Sequence, residues 1–231
     1  MNVKKYFLSL ITLSFIAFSG IANSQEQYIA DDFKVTLKPI GQFAIVSFEL
    51  ERGAKFYWRN PGELGLPTKF SFKKSTNLKD SQVFWPLPTL YERDNVSSYI
   101  YKDNTDFIVK LTANDPSQEI NISADISFSI CRHGCHQYQI NLSSITKIND
   151  TNEIPGDILE KLNNVAHKNG EENFKITAVE QEVLDGQHWL NIDFTNEETL
   201  LEPQLFLDLP EYVIFQPADF NLISGKEKTN S

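Results

Sequence analysis

The chain has 231 residues, and its 21 basic and 31 acidic residues give a formal net charge of −10. This length allows one or two domains. The negative charge argues against nucleic acid or an anionic lipid surface as a partner, because both would repel the protein.

Residues 1–24 have the pattern of a secretory signal peptide. Lys4 and Lys5 form a basic start, an apolar run follows, and Ala22 and Ser24 are small residues at the end. Such a signal is cleaved, here after position 24. The alternative is an uncleaved anchor, although the apolar run is short for a membrane span of about 20 residues. We therefore expect an exported protein of a bacterial periplasm.

Residues 28–150 are predicted to form an antiparallel β-sandwich. Short apolar or alternating runs are separated there by Gly, Pro and Asn turn signals. Besides the hairpin discussed below, the predicted strands are 33–37, 43–50, 68–72, 83–88, 99–101 and 107–111. Seven or more short strands at this spacing are typical of a two-sheet sandwich.

Two segments between these strands are candidates for functional loops. After the aromatic residues 56–58, the sequences 60–62 (NPG) and 65–67 (GLP) mark a loop. It is either a crossover between sheets with an aromatic plug or a wall of the cysteine site described below, with Trp58 and Asn60 as supporting residues. Residues 88–98, which contain Tyr91, are predicted to be an exposed loop.

Residues 120–142 hold both cysteines of the chain and two of its four histidines. Apolar residues occupy alternate positions before and after the cysteines, which predicts two half-buried strands. Residues 132–134 then form a three-residue hairpin loop, and Gly134 is expected to take its left-handed position.

The hairpin register can be read from the same alternation. It places Phe128 opposite Tyr138 and Cys131 opposite Cys135. Directly opposed residues lie about 4.5–5.5 Å apart at Cα, which is within the range that a disulfide requires. Both cysteines share the phase of the polar residues, which indicates an accessible pair.

The cysteine pair has three interpretations. A structural disulfide would stabilise the hairpin, but the gain in stability would be modest because the closed loop is short. Thiol–disulfide exchange is favoured if Arg132, His133 and His136 stabilise a thiolate at Cys131 or Cys135. A metal site for copper or zinc is the third interpretation, because two thiols and two imidazoles are suitable ligands.

The chain after residue 150 is predicted to be a connector followed by further strands. A helix is expected over residues 155–168, within a connector at 151–170, because Ile158, Leu162 and Val165 share a face. A partial second β domain is expected over 171–224, and a disordered tail over 225–231. Its predicted strands are 174–179, 189–194, 204–209 and 213–215.

The motifs together resemble a known family. The run 57–62 (YWRNPG), the sequence 65–67 (GLP), Trp85-Pro86 with Pro88, and the pair Cys131–Cys135 carry the resemblance. Over residues 30–145 the chain is similar to the periplasmic N-terminal domain of the DsbD/ScsB transmembrane disulfide reductases.

This resemblance implies an immunoglobulin-like sandwich that acts as a component of a protein-disulfide reductase, without cofactor or metal. Cys131 and Cys135 would accept reducing equivalents from the thioredoxin-like domain of a membrane reductase. They would pass them to periplasmic thioredoxin-fold clients, including isomerases and cytochrome c maturation factors. Residues 88–98, with Tyr91, are the candidate for the loop that shields the pair in this family.

The sequence departs from the family pattern in two respects. His136 stands where a proline often follows the second cysteine. The membrane and thioredoxin-like parts are absent from these residues, so either a separate chain supplies electrons or the sequence is a fragment of a larger reductase. The partial second domain fits ScsB-like proteins, which carry more than one sandwich. The competing class is a periplasmic copper-binding protein or a non-catalytic interaction domain with a structural disulfide.

Overall fold

The computed structural model describes residues 25–62, 64–93, 96–148, 153–163, 165, 174–196, 205–206 and 220–221. The predicted signal peptide and the predicted C-terminal tail lie outside these residues. Within the described part of the chain, no helix has the length and apolar character that crossing a bilayer requires.

In the described part of the chain, eleven strands make up the sandwich. In chain order they are β1 (Gln27–Ile29), β2 (Phe33–Ile40), β3 (Phe43–Leu50), β4 (Lys55–Gly62), β5 (Lys69–Ser71), β6 (Leu78–Phe84), β7 (Thr89–Arg93), β8 (Val96–Tyr101), β9 (Thr105–Ala113), β10 (Ile120–Cys131) and β11 (Cys135–Thr146).

These strands form two antiparallel sheets. The first has the order β1-β2-β3-β9-β6, and the second has the order β11-β10-β4-β8-β7, with β5 also paired to β10. The predicted all-β antiparallel sandwich is therefore confirmed. Strand β10 lies inside the second sheet, whereas β11 is its edge.

The core lies between the two sheets, because each strand presents its alternate apolar residues inward. Phe48 of the first sheet stacks on Phe56 of the second, with ring centroids 4.5 Å apart, and Phe107 packs edge-on against Phe48. All three are fully buried. Each such side chain contributes roughly 1.5–3 kcal/mol through burial, so the core positions the strands that carry the cysteines.

Strands replace the first part of one predicted loop and nearly all of another, whereas residues 64–68 form a loop as predicted. Strand β4 continues through Asn60 to Gly62. Its Tyr57 pairs with Ile100 of β8 and its Gly62 pairs with Ser98, with an irregular stretch between the two pairs. The prediction of an exposed loop at residues 88–98 was wrong. Strands β7 and β8 form a hairpin there that extends the edge of the second sheet.

The connector helix α1 spans Gly156–Leu162, which is shorter than predicted. Its Ile158 is fully buried on the outer face of the first sheet, beside Phe43, Ile45 and Ile108. Val165 is not helical, because it forms a β-bridge with Pro86. Helix α1 therefore attaches the connector to the sandwich through one apolar contact region.

Strands β12 (Phe174–Leu184) and β13 (Gln187–Asn196) form a separate two-stranded sheet. They extend beyond the two strands predicted at 174–179 and 189–194. Their turn, Asp185-Gly186, has positive φ at both residues, as a tight hairpin turn requires. Most of the predicted strand 204–209, and all of 213–215, lie outside the described residues.

Of the residues described after the connector, Leu205 and Phe206 contact the sandwich. The Tyr99 hydroxyl donates a hydrogen bond to the carbonyl of Leu205 over 3.1 Å. The Phe206 ring packs edge-on against Tyr99 and Trp58, with centroids 5.2 and 6.2 Å away. The chain after the connector is thus held against the second sheet at these two residues.

Candidate functional site

The cysteine hairpin forms as its sequence predicts. Strands β10 and β11 pair without interruption, and the register includes Phe128 opposite Tyr138 and Cys131 opposite Cys135. The two cysteines form a disulfide with Cα atoms 4.1 Å apart. The expectation for Gly134 was wrong, because its φ is not positive. The Arg132 amide donates instead to the Gly134 carbonyl over 3.1 Å.

The two sulfurs occupy different environments. Cys131 is only 5% exposed, whereas Cys135 is exposed. The difference follows from strand order, because β10 is covered by its neighbour β4 and β11 is a sheet edge. The predicted accessible pair is therefore accessible at Cys135 alone, and a reactant from solvent meets that sulfur first.

Tyr57 covers the buried sulfur. Its side chain packs with Cys131 and Ile100 on the outer face of the second sheet. The Tyr57 hydroxyl lies 3.6 Å from the Cys131 Sγ atom and is placed to donate a hydrogen bond to it. Burial, with a smaller effect of nearby Tyr91, raises the pKa of Tyr57. The phenol therefore keeps its proton and remains a donor.

The loop after β4 holds Tyr57 in place. Gly65 has φ +103°, and a Cβ atom built there would lie 2.3 Å from ring carbons of Tyr57. Only glycine lets the backbone approach the ring so closely. The Thr68 hydroxyl, which is buried, donates a 2.7 Å hydrogen bond to the Tyr57 carbonyl. The GLP sequence thus contributes to the site by fixing a tyrosine.

Tyr91 and Lys55 complete this face of the site. Tyr91 is half-buried against the cluster of Tyr57, Ile100 and Cys131. The Lys55 Nζ atom lies 3.6 Å from the centroid of the Tyr91 ring. The pKa of Tyr91 is lowered, first by a hydrogen bond with Lys55 and then by the charge of that lysine, and Arg93 adds to the effect.

The basic residues predicted from sequence lie elsewhere. Arg132 forms an ion pair with Asp32 across 2.9 Å. His133 is exposed in the hairpin loop, and His136 is exposed opposite Ile130. Because strand residues alternate between faces, His136 belongs to the other face of the hairpin from the cysteine that precedes it. These residues and the sulfurs do not form one cluster.

Trp58 and Asn60 are also separate from the cysteines. Trp58 is 4% exposed and packs edge-on against Tyr99 in the core between the sheets. Asn60 is buried further along β4. Lys55 and Ile100 were not assigned to the site from the sequence, and Tyr57 was included only as a member of the aromatic run 56–58. The alternation of Lys55 and Tyr57 with Phe56 and Trp58 indicated an outward face, but no local signal revealed that β4 lies beside β10.

Among the described residues, no group of three or more His, Cys, Asp or Glu side chains is arranged to hold a metal ion. The chemistry available is that of the disulfide. It has one exposed sulfur that can be attacked, and one buried sulfur beside a hydroxyl donor that can leave as a thiolate.

Comparison with known proteins is consistent with this geometry. A family model described as thiol:disulfide interchange protein DsbD, N-terminal, matches residues 25–147. The fold is similar to the crystal structure of the N-terminal periplasmic domain of ScsB from Proteus mirabilis. The TM-score is 0.56 at 21% identity, over 81% of this chain and 76% of that one. No curated protein matches. Because the family model covers more than half of the chain, including both cysteines, this protein belongs to the family of DsbD N-terminal domains, which are modules of thiol:disulfide interchange proteins.

Proposed function

We propose that this protein is a periplasmic relay for reducing equivalents. In this role Cys131 and Cys135 accept electrons from the thioredoxin-like domain of a membrane disulfide reductase and pass them to exported thioredoxin-fold clients. The observation that carries the proposal is the asymmetric disulfide, with Cys135 exposed at a sheet edge and Cys131 buried beside the Tyr57 hydroxyl.

The exchange has two balanced steps. A thiolate of the reduced partner attacks the Cys135 Sγ atom, so that a mixed disulfide forms and Cys131 leaves as a thiolate. The second partner thiol, after losing its proton, attacks the partner's own sulfur in the mixed disulfide and releases Cys135 as a thiolate. The partner loses two electrons and this protein gains them. Reduction of a client runs the same steps in reverse, with Cys135 as the attacking group.

Two tyrosines assist this chemistry in the proposal. The Tyr57 hydroxyl stabilises the thiolate that forms on Cys131, because a hydrogen bond to the charged form favours it. Tyr91, on the β7–β8 hairpin, shields the buried sulfur from solvent and from unspecific thiols. The shielding element predicted from the family resemblance is thus a strand hairpin in this chain, and its role remains a prediction.

The location and domain organisation belong to the same proposal. A periplasmic location agrees with the signal peptide predicted at residues 1–24 and with the periplasmic ScsB domain that shares the fold. The sandwich at 28–150 carries the exchange, and the connector at 151–170 leads to a partial second β domain at 171–224. Strands β12 and β13 are the described part of that domain.

Trapping mixed disulfides in the native compartment tests the proposal. The Cys131→Ser variant leaves the exposed thiol free, and we expect it to accumulate adducts with thioredoxin-fold proteins. The Cys135→Ser variant leaves only the buried thiol, and we expect several-fold less adduct. If neither variant forms an adduct, the disulfide is structural and the relay proposal is wrong.

The alternatives from the sequence analysis have no comparable observation in their favour. For a copper carrier, the reduced thiols would need imidazole ligands, but His136 belongs to the opposite face of the hairpin. A Cu(I) titration of the reduced protein distinguishes this case. Tight one-to-one binding that is lost in both the His133→Ala and His136→Ala variants would favour the carrier.

A further inference from the structure

We infer that Lys55 is a positioning residue for the exchange, with a different partner in each redox state. In the disulfide state its ammonium holds Tyr91 over the buried sulfur. When the disulfide opens, the ammonium turns to the Cys131 thiolate and thereby releases Tyr91. This inference rests on the proposed exchange function and assigns to one cation the stabilisation of the leaving sulfur.

The placement of Lys55 supports its proposed contact with the Cys131 thiolate. It lies directly opposite Cys131 in the antiparallel pairing of β4 and β10, so both side chains project from the same face of the sheet. Lys55 is half-buried and contacts Tyr91, which packs against the cluster of Tyr57, Ile100 and Cys131. A lysine side chain in this position can reach the neighbouring sulfur without any change in the backbone.

The Tyr57 hydroxyl offers the Cys131 thiolate a hydrogen bond but no charge, and the other cations described near the sulfurs do not duplicate the role of Lys55. Arg132 is engaged with Asp32, and Arg93 acts on Tyr91. The groups to be considered on the elements around the pair are Lys55 and Tyr57 on β4, Tyr91 and Arg93 on β7, Arg132 and His133 in the loop, and Cys135 and His136 on β11. Of these, Lys55 is the cation paired in register with the leaving sulfur.

The contact of Lys55 with Tyr91 supports the proposed change of partner. In the disulfide state the sulfurs are neutral, and the ammonium lies 3.6 Å from the centroid of the Tyr91 ring. Tyr91 is only half-buried, and an ammonium on a partly exposed aromatic face is weakly held. A thiolate formed on Cys131, the residue opposite Lys55 in the strand register, is a stronger partner, because an opposite charge at about 4–6 Å typically shifts a pKa by about 1–3. Formation of the thiolate therefore draws Lys55 away from Tyr91.

The test measures the Cys131 thiol alone and needs no redox partner. In the Cys135→Ser background, the ultraviolet absorbance of the thiolate is followed against pH with Lys55 present, replaced by Met, and replaced by Arg. We expect Lys55→Met to lower the thiolate fraction about tenfold at a pH below the midpoint, the lower end of the range for an adjacent opposite charge. Lys55→Arg should restore most of it.

A matched control separates this effect from a general loss of charge. Lys34→Met removes a lysine that pairs with Glu49 in the first sheet, at 2.8 Å, and should leave the Cys131 titration unchanged. Equal titration curves for the Lys55→Met variant and its parent would overturn the inference. A shift that Lys55→Arg fails to reverse would also overturn it, because it would indicate a packing effect.

A second measurement follows Tyr91. Amide hydrogen exchange in the β7–β8 hairpin should be slower in the disulfide form than in the reduced form, and equally fast in both forms of Lys55→Met. Protection that does not depend on redox state in the parent would refute the exchange of partners. Mixed disulfides that still form in the Cys131→Ser trap would then leave the relay proposal standing while this inference fails.

Discussion

Gly65 offers the sharpest test of how the loop after β4 supports the site. The residue has φ +103°, and an added Cβ would lie 2.3 Å from the Cδ1 and Cε1 atoms of Tyr57. Real Cβ atoms are not found so close to another heavy atom, so the Gly65→Ala variant must displace either the loop or the tyrosine ring. Tyr57 is 7% exposed and packs against Cys131 and Ile100, which limits the movement of its ring.

The expected cost has two parts. Placing alanine at a φ that disfavours L-residues costs about 1–3 kcal/mol, and forcing a methyl group against a packed side chain adds about 1–3 kcal/mol. Gly53→Ala is the matched control, because Gly53 has φ +84° but its added Cβ would meet nothing within 4 Å. The control should therefore show the first cost without the second.

Urea unfolding of Gly65→Ala, Gly53→Ala and the parent measures these costs. We expect Gly65→Ala to be the less stable variant by about 1–3 kcal/mol, the overpacking contribution, and its disulfide to be reduced faster by dithiothreitol. In a Tyr57→Ala background, Gly65→Ala should cost no more than Gly53→Ala. Equal losses in the two glycine variants with Tyr57 present would refute the assignment of the loop to supporting that ring.

Two further outcomes test the surroundings of the site. Arg132→Ala removes a partly exposed ion pair with Asp32, so it should change the free energy of unfolding by less than about 1 kcal/mol. It should also leave the rate of exchange with a thioredoxin-like protein within twofold of the parent. A large loss of rate would show that Arg132 takes part in the exchange. The pKa of Lys161 is raised, chiefly by its hydrogen bond with Asp106. Because this pKa is higher in the folded state, protonated Lys161 stabilises the folded state fully at a pH below its unfolded pKa of about 10.4. The contribution is lost as the pH rises through the folded-state pKa. The urea midpoint should therefore fall above pH ~10.4 more steeply in the parent than in Asp106→Asn, and identical slopes would contradict this linkage.

The cysteine hairpin was predictable because its information is local. Period-two alternation on both sides of a three-residue loop allows one register, since a slip of one residue would expose Phe128 and its neighbours to solvent. The same local logic predicted most strands and the sandwich class. It failed at residues 88–98, where polar residues suggested a loop but pairing with the sheet edge makes a hairpin.

The candidate site was only partly predictable because its covering residues are distant in sequence. Proximity to the cysteines suggested Arg132, His133 and His136, but adjacent strand residues face opposite sides, and Arg132 turns to Asp32. The aromatic run 56–58 was noticed as a possible wall of the site. Which of its members faces the sulfur depends on the pairing of β4 with β10, and that pairing joins segments about 70 residues apart.

The sequence by itself determined that Cys131 and Cys135 oppose each other and can bridge, because a short hairpin leaves them no other arrangement. It also carried the motifs through which the family is recognised. Only the tertiary structure decided that the two sulfurs are unequal. Cys131 is buried because β4 brings Lys55 and Tyr57 beside it, and Cys135 is exposed because nothing described pairs with β11 at that edge position. Burial is set by neighbouring strands, and a hairpin cannot specify its own neighbours.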